Sequence, residues 1–272
     1  MNILGIPCVA QFLRMCNDGW EQNWHERNGG NLTYLMSDED VAACKPFFHA
    51  PLAWVDMGVA DAALGGRFFI STGSGKYFRN VMLAHEENIG IVEINATGSA
   101  WRVVWGLVND ARPTSEFPTH YLNHVVRYRA TNGKNRVIYH AHPTNIVAMT
   151  YVLPLCAREF SRALWQSMTE CAVVFPHGVG VVPWLLPGGA EIAHATCKVM
   201  EEFTSAVWAF HGLFAAGETF DEAFGLIHTI ENAAEIYMTV LHTGKPVLQT
   251  ITDENLKVLT EAFGAKLNPA FI

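Results

Sequence analysis

Only 16% of the 272 residues carry a charged side chain, and acidic groups outnumber basic ones 26 to 18, a formal net charge of −8. A protein that holds nucleic acid by its phosphates needs a basic face, and the absence of any basic cluster argues against such a partner. No uninterrupted apolar run reaches the roughly eighteen residues of a membrane-crossing helix, which argues against a membrane span. The apolar stretch from Met1 to Met15 has no basic leader and no small-residue cleavage site, and its first basic residue, Arg14, lies on the wrong side for an export signal. The six cysteines (Cys8, Cys16, Cys44, Cys156, Cys171, Cys197) form no close C-x-x-C pair. They read as reduced, mostly buried thiols of a cytoplasmic protein. Linkers, repeats and low-complexity segments are also missing, so residues 1–272 are expected to form one domain. What is abundant is apolar: 50% of the residues are hydrophobic, enough to bury a large core.

Val9, Phe12, Leu13, Cys16 and Trp20 recur at helical spacing and predict an opening amphipathic helix. Asn28-Gly29-Gly30-Asn31 breaks it and leads into a strand over Leu32–Met36; residues 37–66 read as an irregular surface excursion. Strands are predicted at Arg67–Thr72 and, as a hairpin, at Ile89–Ile94 and Trp101–Trp105. A helix follows over Pro118–Ala130, with proline in its first turn. Val137–His142 is the clearest central strand, followed by helices at Asn145–Leu153 and Arg158–Glu170 and strands at Ala172–Phe175 and Val179–Val182. A helix over Glu191–Phe203, a strand over Ala206–His211 and a long helix through Leu241, opened by a Thr219/Glu222 capping box, complete the pattern with a last helix near Thr252. Hairpins interrupt the strand–helix alternation. The expected fold is therefore α/β, a three-layer α/β/α domain around a mixed, largely antiparallel sheet.

His140-Ala141-His142 ends the strand Val137-Ile138-Tyr139. Side chains alternate along a strand, so both imidazoles project from one face, a natural start for a zinc site. By itself such a pair is more often just two polar residues at a strand end. His211 closes another apolar strand, immediately before Gly212, and a third histidine so placed resembles a three-histidine centre with an open position. His120 and His124 stand i,i+4 on the predicted helix, but without an H-E-x-x-H pattern they suit the helix surface or a supporting role. The remaining histidines have no metal-like spacing.

Three polar turns, Asn28–Asn31, Thr72-Gly73-Ser74-Gly75-Lys76 and Pro113-Thr114-Ser115-Glu116, offer amides and hydroxyls of the kind that cradle one phosphate. None is a Walker A loop, and each alone is compatible with plain turn chemistry. Glu116 falls in a helix first turn, where a carboxylate is often only an end charge; near a metal it would serve as ligand or general base.

Taken together these segments resemble the class II aldolase family. The resemblance runs through His25–Thr33, Thr72–Lys76, Pro113–Glu116, His140-x-His142 and Phe210-His211-Gly212. Thr169-Glu170-Cys171, Val174-Phe175-Pro176 and Gly178-Val179-Gly180 are similar to the family's rhamnulose branch. It implies zinc held by His140, His142 and His211, with Glu116 as the catalytic carboxylate. It also implies a phosphate pocket lined by Asn28, Asn31, Ser74, Thr114 and Ser115, and a second acid, Glu170, reaching a neighbouring subunit's site in a homotetramer. The implied reaction is reversible cleavage of L-rhamnulose 1-phosphate to dihydroxyacetone phosphate and L-lactaldehyde, through a zinc-stabilised enediolate. A Schiff-base route would need an activated core lysine, and the seven lysines fall mostly in turns or exposed helical segments. Two rivals remain: a phosphopentulose epimerase, and a catalytically dead binding protein on the same fold.

Overall fold

The computed structural model describes residues 2–272. At its centre is a nine-stranded sheet of β1 (Asn31–Leu35), β2 (Val55–Asp56), β3 (Phe68–Thr72), β4 (Ile89–Ile94), β5 (Ala100–Gly106), β6 (Val137–Ala141), β7 (Gly180–Val182), β8 (Ser205–Trp208) and β9 (Gly212–Gly217). Their spatial order is β2-β5-β4-β3-β1-β6-β9-β8-β7, and every neighbouring pair is antiparallel except β7 and β8. The sheet is thus mixed and largely antiparallel, as the interrupted alternation of elements predicts.

Alternation along the strands explains why helices cover both faces. From β6, Val137, Tyr139 and Ala141 pack with Phe12 and Cys16 of α1 (Pro7–Glu21) and with Ile227 and Ile230 of the long α9 (Phe220–His242). Ile138 points the other way, to Phe214, Trp208 and the helix α8 (Ala190–Met200). On that same second face Leu35, Phe69 and Val92 meet Phe117, Tyr121 and Val125 of α4 (Phe117–Thr131). A sheet apolar on both sides has to be buried on both, which makes three layers.

Four expectations need correction. Residues 37–66 are not irregular throughout: they hold α2 (Asp38–Cys44), opened by a Ser37/Asp40 capping box, and the edge strand β2. Ala172–Phe175, read as a strand from its apolar run, is one turn of helix, α7 (Cys171–Val174), closed by bonds from Val174 N to Glu170 O and from Phe175 N to Cys171 O at 2.9 Å each. Short apolar runs carry no period that separates the two states. The helix α6 (Ala157–Ser167) stops before Glu170. The strand expected over Ala206–His211 stops at Trp208; the chain turns through Ala209–His211 and returns as β9. The remaining helices are α3 (His85–Asn88), α5 (Thr144–Met149) and α10 (Asp253–Ala262). All six cysteines are free and five are buried. No described helix is long and apolar enough to cross a membrane.

Candidate metal centre and adjoining loops

The centre forms where β6 ends beside the β8–β9 hairpin. His140 lies within β6 and His142 just beyond it, on the same side of the strand, while His211 comes from the hairpin turn. That turn bends sharply: Phe210, before His211, has φ +62°. Gly212 follows because β9 starts against the two other histidines, and a Cβ there would strike Ala141 O and the rings of His140 and His142. One possible ligand atom from each of His140, His142 and His211 lies within 4.8 Å of the others.

Hydrogen bonds select which nitrogens face inward. His140 Nδ1 donates to Leu213 O at 3.2 Å, and His142 Nδ1 to the Glu26 carboxylate at 2.8 Å. With Nδ1 so engaged, each ring turns its Nε2 inward, and these two atoms are 3.3 Å apart. Two lone pairs so close suit a shared cation. Burial, helped by the neighbouring imidazoles, holds His140 far below the usual histidine range. Burial and His142 push His211 down to about 4. Neutral imidazoles are the form that binds a metal, so the donor set fits one. Glu26 and Leu213 O orient the rings as outer-shell acceptors do in metal sites.

Glu116 precedes α4 and is buried, with Oε2 3.8 Å from His140 Nε2. Burial raises its carboxyl above the ordinary value, opposed by a hydrogen bond from Asn31 Nδ2 at 3.0 Å and by His142. A carboxylate poised in this way, next to a metal-binding cluster, has the features of a general base.

The three polar turns meet around this point. Thr114 N donates to Thr72 O and Ser74 N to Arg112 O, both at 2.8 Å, so the second and third turns are stitched side by side. The first is joined to them by Leu32 N donating to Thr72 Oγ1 at 3.1 Å and by the Asn31–Glu116 bond. It is pinned from below by His25, which is stacked on Phe78 and bonded to Gly29 O and the Tyr139 hydroxyl. Gly30, at φ +71°, passes so close to His25 and His140 O that no side chain fits. Asn28, Ser74 and Ser115 are exposed and Thr114 is buried. Asn31 is buried and its amide is committed at both ends, to Glu116 and to His120.

His120 and His124 do not lie on the helix surface. Both face the sheet, fully buried, bonded to Thr33 Oγ1 at 2.7 and 2.8 Å. Their i,i+4 spacing identified one helix face but not that it turned inward. Glu26 was missed as a functional residue, although it adjoins His25 in the matched segment. Glu170 stands exposed at the start of α7, outside the histidine cluster. Its neighbour Thr169 lines an open cavity of about 720 Å³ with Gln166, Gln249, Ile251 and Leu259.

Residues 10–238 match the family described as class II aldolase and adducin N-terminal domain. A rhamnulose-1-phosphate aldolase of Escherichia fergusonii is 46% identical over 94% of this chain and 93% of its own length. Among solved structures, a sugar-phosphate aldolase from Thermotoga maritima superposes with a TM-score of 0.73 at 23% identity, over 87% of this chain and 96% of its own. An L-fuculose 1-phosphate aldolase superposes with a TM-score of 0.60 at 22% identity, over 94% and 95%. These two carry the fold.

Proposed function

The chain belongs to the class II aldolase and adducin family and is a class II aldehyde-lyase; we propose that it cleaves L-rhamnulose 1-phosphate reversibly to dihydroxyacetone phosphate and L-lactaldehyde. The carrying observation is the convergence of His140, His142 and His211 beside the buried Glu116, in a chain 46% identical to a rhamnulose-1-phosphate aldolase over nearly its full length. Residues 1–272 act as one class II aldolase domain in this reading.

The metal is zinc, which three imidazoles and an open position suit, and which when bound supplies Lewis acidity to the carbonyl and hydroxyl oxygens of the donor. His140 and His142 would hold it through the Nε2 atoms that Leu213 O and Glu26 leave free, with His211 as the third ligand. Asn28, Ser74, Thr114 and Ser115 hold the phosphate, joined by Asn31 through the amide hydrogen that Glu116 does not use. Anchored there, the donor carbon stands next to the carboxylate, and a bimolecular encounter becomes a positioned one. In the addition direction Glu116 takes the proton from that carbon, leaving an enediolate whose carbon attacks the aldehyde. Glu170 of a neighbouring subunit then gives a proton to the aldehyde oxygen, in a homotetramer with sites between subunits. In cleavage each transfer runs backwards, and L-lactaldehyde leaves first.

The test is a coupled assay for dihydroxyacetone phosphate release from L-rhamnulose 1-phosphate, run beside epimerisation of a phosphopentulose. Cleavage of the first without epimerisation of the second is expected. The opposite pattern would transfer the chain to the epimerase branch, and loss of neither substrate from zinc-loaded protein would mark a non-catalytic binder.

A further inference from the structure

Beneath the catalytic carboxylate, four buried side chains form a line whose hydrogen bonds take one direction once that carboxylate is ionised. Glu116 Oε2 accepts, so Asn31 Nδ2 donates to it at 3.0 Å. That turns Asn31 Oδ1 toward His120, whose Nε2 must carry the proton that bond needs. Burial pushes His120 down to about 3, so the ring has one proton, already placed on Nε2. His120 Nδ1 therefore accepts, and its partner at 2.7 Å is the Thr33 hydroxyl. With its only proton given to His120, Thr33 Oγ1 must accept from His124 Nε2–H at 2.8 Å. The line ends at His124 Nδ1, a buried ring nitrogen without a partner.

We propose that Thr33, His120 and His124 are positioning residues that lock the Asn31 amide in its donating orientation, and through it hold Glu116 aimed at the donor carbon. The inference rests on reading Glu116 as the base. An amide is nearly symmetric in shape, and packing alone does not choose between its two flips. Flipped, Asn31 would set Oδ1 against the carboxylate, and His120, Thr33 and His124 would all have to reverse their donor and acceptor roles with it. The ionised carboxylate sets the direction, and the line through His120, Thr33 and His124 resists a flip because every bond in it would have to turn over together. An apolar side chain at 124 would avoid leaving a buried nitrogen unpartnered, which is unfavourable. A histidine there instead supplies the N–H that Thr33 needs in order to donate away from it. β1 makes the arrangement possible: Asn31 and Thr33 share one face of the strand, and both meet α4 through His120.

The experiment compares Thr33→Val, which keeps the shape and loses the hydroxyl, with Thr33→Ser, which keeps the hydroxyl and loses a methyl. Both are full-length, zinc-loaded proteins, and the measurement is kcat and KM for deuterium exchange into dihydroxyacetone phosphate. Thr33→Val should lose about tenfold in kcat, the scale of one lost charge-assisted bond at a base, with zinc content unchanged. Thr33→Ser should stay within about twofold of wild type, because the donor survives. A purely structural role would make the methyl loss at least as damaging. Equal rates for Val and Ser, or a larger loss with Ser, overturn the inference. Should Thr33→Val fail to fold, His120→Gln, which retains a side-chain N–H donor, replaces it against His120→Phe with the same expected contrast. Glu116→Gln is measured alongside. Normal exchange there removes the base reading and this inference with it, whereas a dead Glu116→Gln with an unaffected Thr33→Val refutes the relay alone.

Discussion

Acidification from pH 7 to 5.5 should cost this protein stability through imidazoles the fold buries neutral. His25 lies with Nδ1 on Gly29 O at 3.0 Å and Nε2 on the Tyr139 hydroxyl at 2.7 Å, and His120 lies between Asn31 and Thr33. Burial pushes each from 6.5 down to about 3. Above 6.5 neither the folded nor the unfolded chain protonates them. Between 6.5 and about 3 only the unfolded chain does, so stability present at neutral pH is lost as pH falls. The slope approaches about 1.4 kcal/mol per pH unit for each group. Integrated from pH 7 to 5.5, each contributes about 1.2 kcal/mol, and the two together about 2.5 kcal/mol. Urea unfolding at fixed protein concentration, followed by the fluorescence of the buried Trp24, Trp165 and Trp208, measures this directly. His120→Gln removes one titrating group, so its stability should fall by about 1.2 kcal/mol less than wild type over the same interval. Titrating groups away from position 120 cancel in that difference. Parallel pH dependence in the two proteins would refute the claim that His120 is buried neutral.

Other outcomes follow from the site. His142→Ala should lose most bound zinc and activity, because it removes one of three ligands, and elemental analysis showing full occupancy would break the assignment. Ser74→Ala and Asn28→Ala should weaken use of the phosphorylated donor while sparing the unphosphorylated one; equal losses on both would give these turns another role. Glu170→Ala should slow cleavage far more than donor proton exchange. Mixing it with Glu116→Gln chains should restore part of the activity, since some sites then receive both intact groups, and a fully active monomer would contradict the shared site.

Much of the site could be read directly because its signals are local. The H-x-H pair needs only strand alternation to bring two imidazoles to one side, and β6 is apolar enough to be recognised as a strand. The capping residues Thr219 and Thr252 mark helix starts that the structure has, because a side-chain oxygen three residues before an amide is a property of one turn. The same logic holds at Ser37 and Asp40, whose capping box opens α2 inside the segment that reads as irregular. The turn at Ala209–His211 carries no Asn-Gly or Pro signal, and the apolar run on both sides of it conceals where β8 ends and β9 begins.

Alternation, helical spacing and capping are written within a few consecutive residues, so the amino-acid order alone determined most helices, the central strands and the histidine pair. What lay beyond it depends on register between distant segments. Pairing of Ala141 with Leu213 brings His211 to the other two histidines, and pairing of Asn31 with His140 sets the Asn31 amide beside Glu116. A slip of one residue in either ladder would turn those side chains to the opposite face. Whether His120 and His124 face water or Thr33 is likewise decided by which side of α4 the sheet buries. No spacing along the chain encodes that choice, because it belongs to the packing of three layers.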